Sequence, residues 1–407
     1  MTNRERFLQV AAGKDADFIP IFGFPGSPGM SAGCMEPTRL RLVEEGMPEW
    51  VGAQSDDPDD YLPGWWGERN FRVRSWFRYW GTTGPIATDF TAALPAKGIG
   101  EDHRFEGEYE IIEYETGALT RQVMNNDETY SMPHFVANHV RDRSSWNTYV
   151  DLTGSGGRKP AEEIENLCAQ FDERDFPLVV PAGGPYGWLR SLWGEEHVCI
   201  MPYDDPGLIH EQVECLKSRF LDFTVPLIER LRPEIVGMGE DICYNHGMLI
   251  SPEQFEEFFG DYYRLVGTVV ADCGVPVLSM DTDGNAMEYA GIAAATGINC
   301  LHPMEVKAGN DLFELRRRHP ELIMVGWLEK ESVNEGNTEM ICEEIMTKVP
   351  PLLETKRYFP NGDHGIQPFI TFDNLCMFMT LLHEVCGNPL GEFPRKDAPG
   401  RTRSGKT

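Results

Sequence analysis

From residue 177 onward, short apolar runs alternate with longer stretches whose apolar residues recur every three or four positions. The first run, FPLVVPAGG, ends in glycines, and the helical stretch DPGLIHEQVECLKSRFLDFTVPLIERL follows from an Asp-Pro start. PEIVGMGED then precedes SPEQFEEFFGDYYRLVGTVVADC, where Ser251, Pro252 and Gln254 suit a helix N-terminus. Four more pairs repeat the pattern: VPVLSMDTDG with NAMEYAGIAAATG, NCLHPMEV with NDLFELRRRH, LIMVGWLE with TEMICEEIMTKVPPLLE, and RYFPNGDHG with TFDNLCMFMTLLHEVC. Such runs read as buried strands, and strands alternating with helices pair in parallel through right-handed crossovers. DFIPIFGF supplies an early strand and TRLRLVEEGM the helix after it. With one more unit in the irregular middle, the pattern predicts an α/β chain built as a (β/α)8 TIM barrel. A doubly wound open sheet is the alternative. No G-x-G-x-x-G opens a helix, which weakens the dinucleotide-binding form of that alternative.

Residues 52–160 break the rhythm. DYLPGWWGERNFRVRSWFRYWG is crowded with aromatic and arginine residues, and EGEYEIIEYETGALTRQVMN alternates like an antiparallel hairpin with Thr-Gly at its turn. The expectation is one barrel domain over residues 1–394, carrying an excursion that covers the barrel mouth, and a basic, polar tail at 395–407. Trp65, Trp66, Trp76, Phe77 and Trp80 would wall an apolar pocket there, unless the stripe is lid packing alone.

Composition narrows the class. A chain of 407 residues, 41% hydrophobic and 25% charged, has ample material for a core. Its formal charge of −29 repels phosphate backbones and anionic lipid, so nucleic-acid and membrane-surface roles are disfavoured. Neutral or cationic ligands remain, as does a protein partner with a basic patch. The ten cysteines form no C-x-x-C pair and lie mostly in apolar runs, which suits reduced thiols. The first twenty residues show no apolar core behind a basic start, and no window reaches the roughly 18 apolar residues of a membrane span. The expected location is the cytoplasm.

Barrel chemistry sits at the C-terminal ends of strands. The residues that end these runs are polar: Glu240 and Asp241, Asp281 and Asp283, His302 and Glu305, Asp363 and His364. Residues two apart on a strand share a face, so Asp281 and Asp283 would project together. Crowded carboxylates repel, and a divalent cation is the simplest stabiliser. Plainer readings exist: Asp283 before Gly284 and Asn285 makes a turn and caps a helix, and His364 is a satisfied core histidine. Glu240 or Glu305 could pair with Arg190 or Lys307.

Taken in order, PAGGPYGWLRSLWGEE, YDDPGLI, GEDICYNHGMLISPEQFEEFF, MDTDGN, LHPMEVKAGND, VGWLEK, PNGDHGIQP and FDNLCMFM resemble the uroporphyrinogen decarboxylase superfamily. Within it the wording is closest to corrinoid-dependent methyltransferases of the aromatic O-demethylase type. The resemblance implies a (β/α) barrel. Decarboxylases of the porphyrinogen carry Arg-Gln-Ala-Gly-Arg after the first strand, where this chain reads FGFPGSPGM, so the guanidinium partners for a many-carboxylate substrate are missing. Methyltransferases acting on coenzyme M bind zinc through His-x-Cys and a later Cys; the matching positions here hold Asp281, Asp283 and His364, harder donors that suit an oxygen-bearing substrate.

By that resemblance, Asp281, Asp283 and His364 hold a metal, with Zn2+ the expected ion, and Glu240, Asp283 and Glu305 are the catalytic acids. Glu240 would be a fourth ligand or a proton donor. Tyr186, Asn245 and His246 would touch substrate, with Trp65 and Trp66 beside them. The expected reaction passes a methyl group from a methoxylated, aromatic small molecule to a Co(I) corrinoid. No Asp-x-His-x-x-Gly corrinoid motif is present, so that cofactor is expected on a separate partner protein. A homodimer is compatible with this reading. Two alternatives stay open: a metal-free decarboxylase or lyase using Asp283 as proton donor, and a non-enzymatic corrinoid- or tetrapyrrole-binding accessory protein.

Overall fold

The computed structural model describes residues 1–26, 33–55, 57, 72–84, 86–88, 99–123, 134–154, 161–334, 336–366 and 369–396. It divides the chain into two compact units. The first comprises Met1–Ile86, Asp175–Pro177 and Pro303–Thr407; the second comprises Ala87–Arg174 and Leu178–His302.

In the second unit, β1 (Leu178–Pro181), β2 (Ile235–Gly239), β3 (Val277–Thr282) and β4 (Cys300–Pro303) lie in that order, β4 ending where the first unit resumes. β2 pairs in parallel with β1 on one side and β3 on the other, with Val179 and Val277 both level with Ile235. These strands are mostly apolar and buried, as strands with both faces covered must be. Their register sets Asp281 opposite Gly239, so β2 and β3 run out at the same level. Each crossover starts where the sequence signals it. Asp205 caps the helix Pro206–Arg219 by accepting from Leu208 N at 3.0 Å. Ser251 and Gln254 cap each other reciprocally ahead of Pro252–Phe258.

The same unit carries a four-stranded antiparallel sheet of Glu101–Glu106, Tyr109–Tyr114, Leu119–Val123 and His134–Ala137. The hairpin read from its sequence is its middle pair, turning at Gly117, whose φ of +78° suits a residue without a Cβ. Two outer strands extend it.

In the first unit, β5 (Ile323–Leu328) and β6 (Tyr358–Gly362) pair in parallel, Met324 opposite Tyr358, and are joined by the helix Thr338–Glu354. All six strands expected after residue 177 are present. DFIPIFGF is different: Phe22 makes a single parallel bridge to Thr83 instead of a strand. Pro20 has no N–H to give a ladder, and Gly23 turns the chain at φ +78°. The fold class is α/β of the TIM-barrel kind. Among the described residues the main sheet has seven strands, the six named here and the two-residue Ile86–Ala87, so the closed eight-fold ring expected from the pattern is not seen.

The helix Val73–Trp80 takes part of the aromatic stripe into the core of the first unit. Trp76 and Trp80 are fully buried, Trp76 donating from Nε1 to Gly26 O at 2.6 Å and Trp80 packing on Phe372 and Phe393. Phe77 is buried as well, so these three rings are packed within the first unit. Trp65 and Trp66 lie outside the described residues, as does the tail from residue 397. No described helix is long and apolar enough to cross a membrane.

Candidate functional site

In the second unit, Gly184 and Gly187 open the first turn of the helix Pro185–Trp193 against the end of β2. A Cβ on Gly184 would stand 2.4 Å from the Glu240 carboxyl carbon, and one on Gly187 would stand 2.7 Å from Gly239 O. The glycines therefore admit Glu240, which is buried and accepts from Gly187 N at 2.5 Å and from the Tyr263 hydroxyl at 2.5 Å. Tyr289 donates to Tyr263 in turn at 3.3 Å. Burial pushes the Glu240 carboxyl up to about 8; the Tyr263 and Gly187 hydrogen bonds oppose the shift and neighbouring Asp241 adds to it. Glu240 is thus a proton-bearing side chain at neutral pH with both oxygens engaged.

Asp241 follows in a left-handed conformation, φ +45°. One of its oxygens is bonded by the Arg190 guanidinium, and the other accepts from Asp283 N at 3.4 Å. Arg190, weighed as a partner for Glu240, pairs with Asp241 instead. Asp281, half exposed at the end of β3, faces His302 across to β4, Oδ1 to Nδ1 3.5 Å. Asp283 lies just past β3, where Gly284 at φ +79° lets the loop pass close over a short hairpin: a Cβ there would meet Tyr244 N and Cα at 2.6 Å. That hairpin pairs Cys243–Tyr244 with Gly247–Met248, exposes Asn245 and His246 at its tip, and is tied back by Asn285 N donating to Tyr244 O at 2.8 Å. Tyr186, expected to touch substrate, is fully buried with its hydroxyl 3.7 Å from Cys199 Sγ.

In the first unit, Glu305 follows β4 and His364 follows β6, with His364 Nδ1 3.7 Å from Glu305 Oε1. Between them Asp363 is buried, accepting from Val306 N at 3.1 Å and Lys330 N at 3.2 Å while its own N donates to Leu328 O at 2.8 Å. Burial raises the Asp363 carboxyl; the Val306 N–H, the adjacent His364 and Lys330 pull the other way. Gly326 stands at φ +105°, where a Cβ would fall 1.8 Å from Pro303 O, and Trp327 next to it donates to Asn310 O at 2.8 Å. Asn310 Nδ2 holds Glu305 O at 2.8 Å. Lys307 pairs with Glu331 at 2.9 Å. Tyr263 and the clamping role of Asp363 carry no sequence signal: one is a tyrosine in mid-helix, the other one acid among several at strand ends.

These strand ends, rich in acids and imidazoles above parallel strands, define an α/β protein of the TIM-barrel class. The chain belongs to the uroporphyrinogen decarboxylase (URO-D) family, whose profile matches residues 129–385, more than half of its length. Among solved structures it is similar to a methyltransferase from Methanosarcina mazei, at 14% identity and a TM-score of 0.57, over 94% of this chain and 99% of that one. At this identity the likeness speaks for the fold. A B12-independent methionine synthase from Shewanella sp. W3-18-1, in complex with selenomethionine, matches at 11% identity over 65% of this chain and 74% of that one, with a TM-score of 0.27 that supports no inference. No curated protein matches.

Proposed function

We propose that this chain is a methyltransferase that removes a methyl group from a methoxylated, aromatic small molecule and passes it to a Co(I) corrinoid carried by a separate protein. The observation that carries the reading is a donor pair in the first unit: the Glu305 carboxylate and the His364 imidazole stand 3.7 Å apart at the ends of β4 and β6. A carboxylate and an imidazole fit Zn2+ and harder divalent ions better than they fit a thiolate-seeking one. Asp281 and Asp283, expected as ligands from the sequence, lie at the end of β3 in the second unit, Asp281 3.5 Å from His302.

When bound, the ion supplies Lewis-acid withdrawal of electron density from the ether oxygen, which makes that oxygen a better leaving group. The chain's own residues do the rest. Arg190 and Asp241 anchor the Asp283 loop from behind. Asn245 and His246, exposed at the hairpin tip, are the proposed substrate contacts. Glu240 holds a proton at neutral pH and is the proposed source for the departing oxygen, a role worth about 10²- to 10⁴-fold in rate. The M. mazei neighbour, a methyltransferase by name, supports the reaction class.

Metal analysis of the purified full-length chain tests the reading. One equivalent of a divalent ion is expected, lost in Glu305→Ala and in His364→Ala. A wild-type chain that takes up no Zn2+ overturns it and favours a metal-free lyase of the same family.

A further inference from the structure

We infer that Asp363 is a positioning residue for Glu305 and His364, an inference that rests on the proposed metal-binding reading of those two side chains. The Asp363 carboxylate oxygens accept from the backbone N–H of Val306 and of Lys330, and its own N–H donates to Leu328 O. One buried side chain thereby ties the segment after β4, the segment after β5 and the end of β6.

The consequence follows from sequence adjacency. Val306 is bonded to Glu305 and His364 to Asp363, so the two hydrogen bonds set the backbone from which the Glu305 carboxylate and the His364 imidazole project, 3.7 Å apart. A second tie acts on the same segment, since Asn310 Nδ2 holds Glu305 O. A carboxylate is the side chain this place requires, because it offers two acceptors to two backbone donors and has no N–H of its own to set against them. An amide of the same size keeps one acceptor and turns a donor toward the other N–H, leaving one backbone N–H unpaired. Burial makes that loss costly, as no solvent replaces the missing acceptor.

The test compares wild-type protein with Asp363→Asn and Asp363→Ala in two measurements on the full chain. In the metal-free protein, labelled histidine rings are observed by NMR, with the His364 signal assigned by its loss in His364→Gln. The expected result is a displaced, broadened His364 signal in Asp363→Asn and unmoved signals from His139 and His210. In the second measurement Co2+ alone is titrated and its visible spectrum followed. Affinity is expected to drop about 10- to 100-fold in Asp363→Asn, the range for losing a group that orients a ligand, with the melting temperature lowered and the chain still folded. Where Asp363→Ala fails to fold, the isosteric Asn variant carries the test. If wild type binds Co2+ and Asp363→Asn binds it equally well with the same spectrum, the inference is overturned while the metal-binding reading stands. If wild type binds no Co2+, that reading falls and the His364 signal decides: a displaced signal upholds positioning, and an unmoved one overturns it.

Discussion

Glu240 has both oxygens hydrogen-bonded and still titrates near 8, because the cost of burying a charge exceeds what one phenol and one amide N–H return. The sign of the pH effect follows. The folded state holds the proton up to about 8, while an unfolded glutamate releases it near 4.5. The stabilisation is fully present below 4.5 and is lost as pH rises through 8, at roughly 1.4 kcal/mol per pH unit between the two. Glu240→Gln removes the titration, so the stability of the variant relative to wild type should rise steadily from pH 5 to pH 8. Urea unfolding at fixed pH values checks this; parallel curves for the two proteins would show that Glu240 titrates normally. The position of Glu240 at a strand end was legible in the sequence. Its protonation was not, since it depends on burial, which outweighs the opposing hydrogen bonds from Tyr263, 23 residues away, and Gly187, 53 residues away.

Strands and their ends reveal a different division. The six runs after residue 177 became strands because each is a short apolar segment bounded by breakers, a pattern set within a few residues. DFIPIFGF has the same apolar content, but Pro20 and Gly23 limit it to one bridge. The ends depend on close backbone approach. Gly326 at φ +105°, with Pro303 O where a Cβ would sit, joins β5 to the segment leading into Glu305. Gly326→Ala should cost at least about 2 kcal/mol, from the left-handed conformation together with overpacking. Equilibrium unfolding measures it, and a loss under about 0.5 kcal/mol would mean the two segments move apart freely. The same variant should bind Zn2+ more weakly than wild type, because the shift falls two residues before Glu305.

For the molecule as a whole, the net charge of −29 acts as self-repulsion in the compact state. Screening lengths shrink from about 30 Å at 0.01 M salt to about 10 Å at 0.1 M. The melting temperature should therefore rise by a few degrees over that range, read by differential scanning fluorimetry; a flat or falling response would mean ion pairs such as Arg190–Asp241 outweigh the repulsion. What the sequence determined by itself was local or summed: the alternation of strand and helix, the caps at Asp205 and Ser251, the polar residues at strand ends and the overall charge. Only the tertiary structure decided which acids are buried, that Asp281 faces His302 while Asp241 holds Asp283 N, and that Asp363 clamps Val306 and Lys330. The reason is physical. Periodicity and capping act over a few residues, whereas desolvation and hydrogen-bond partnership come from groups that only folding brings within 3 Å or so of one another.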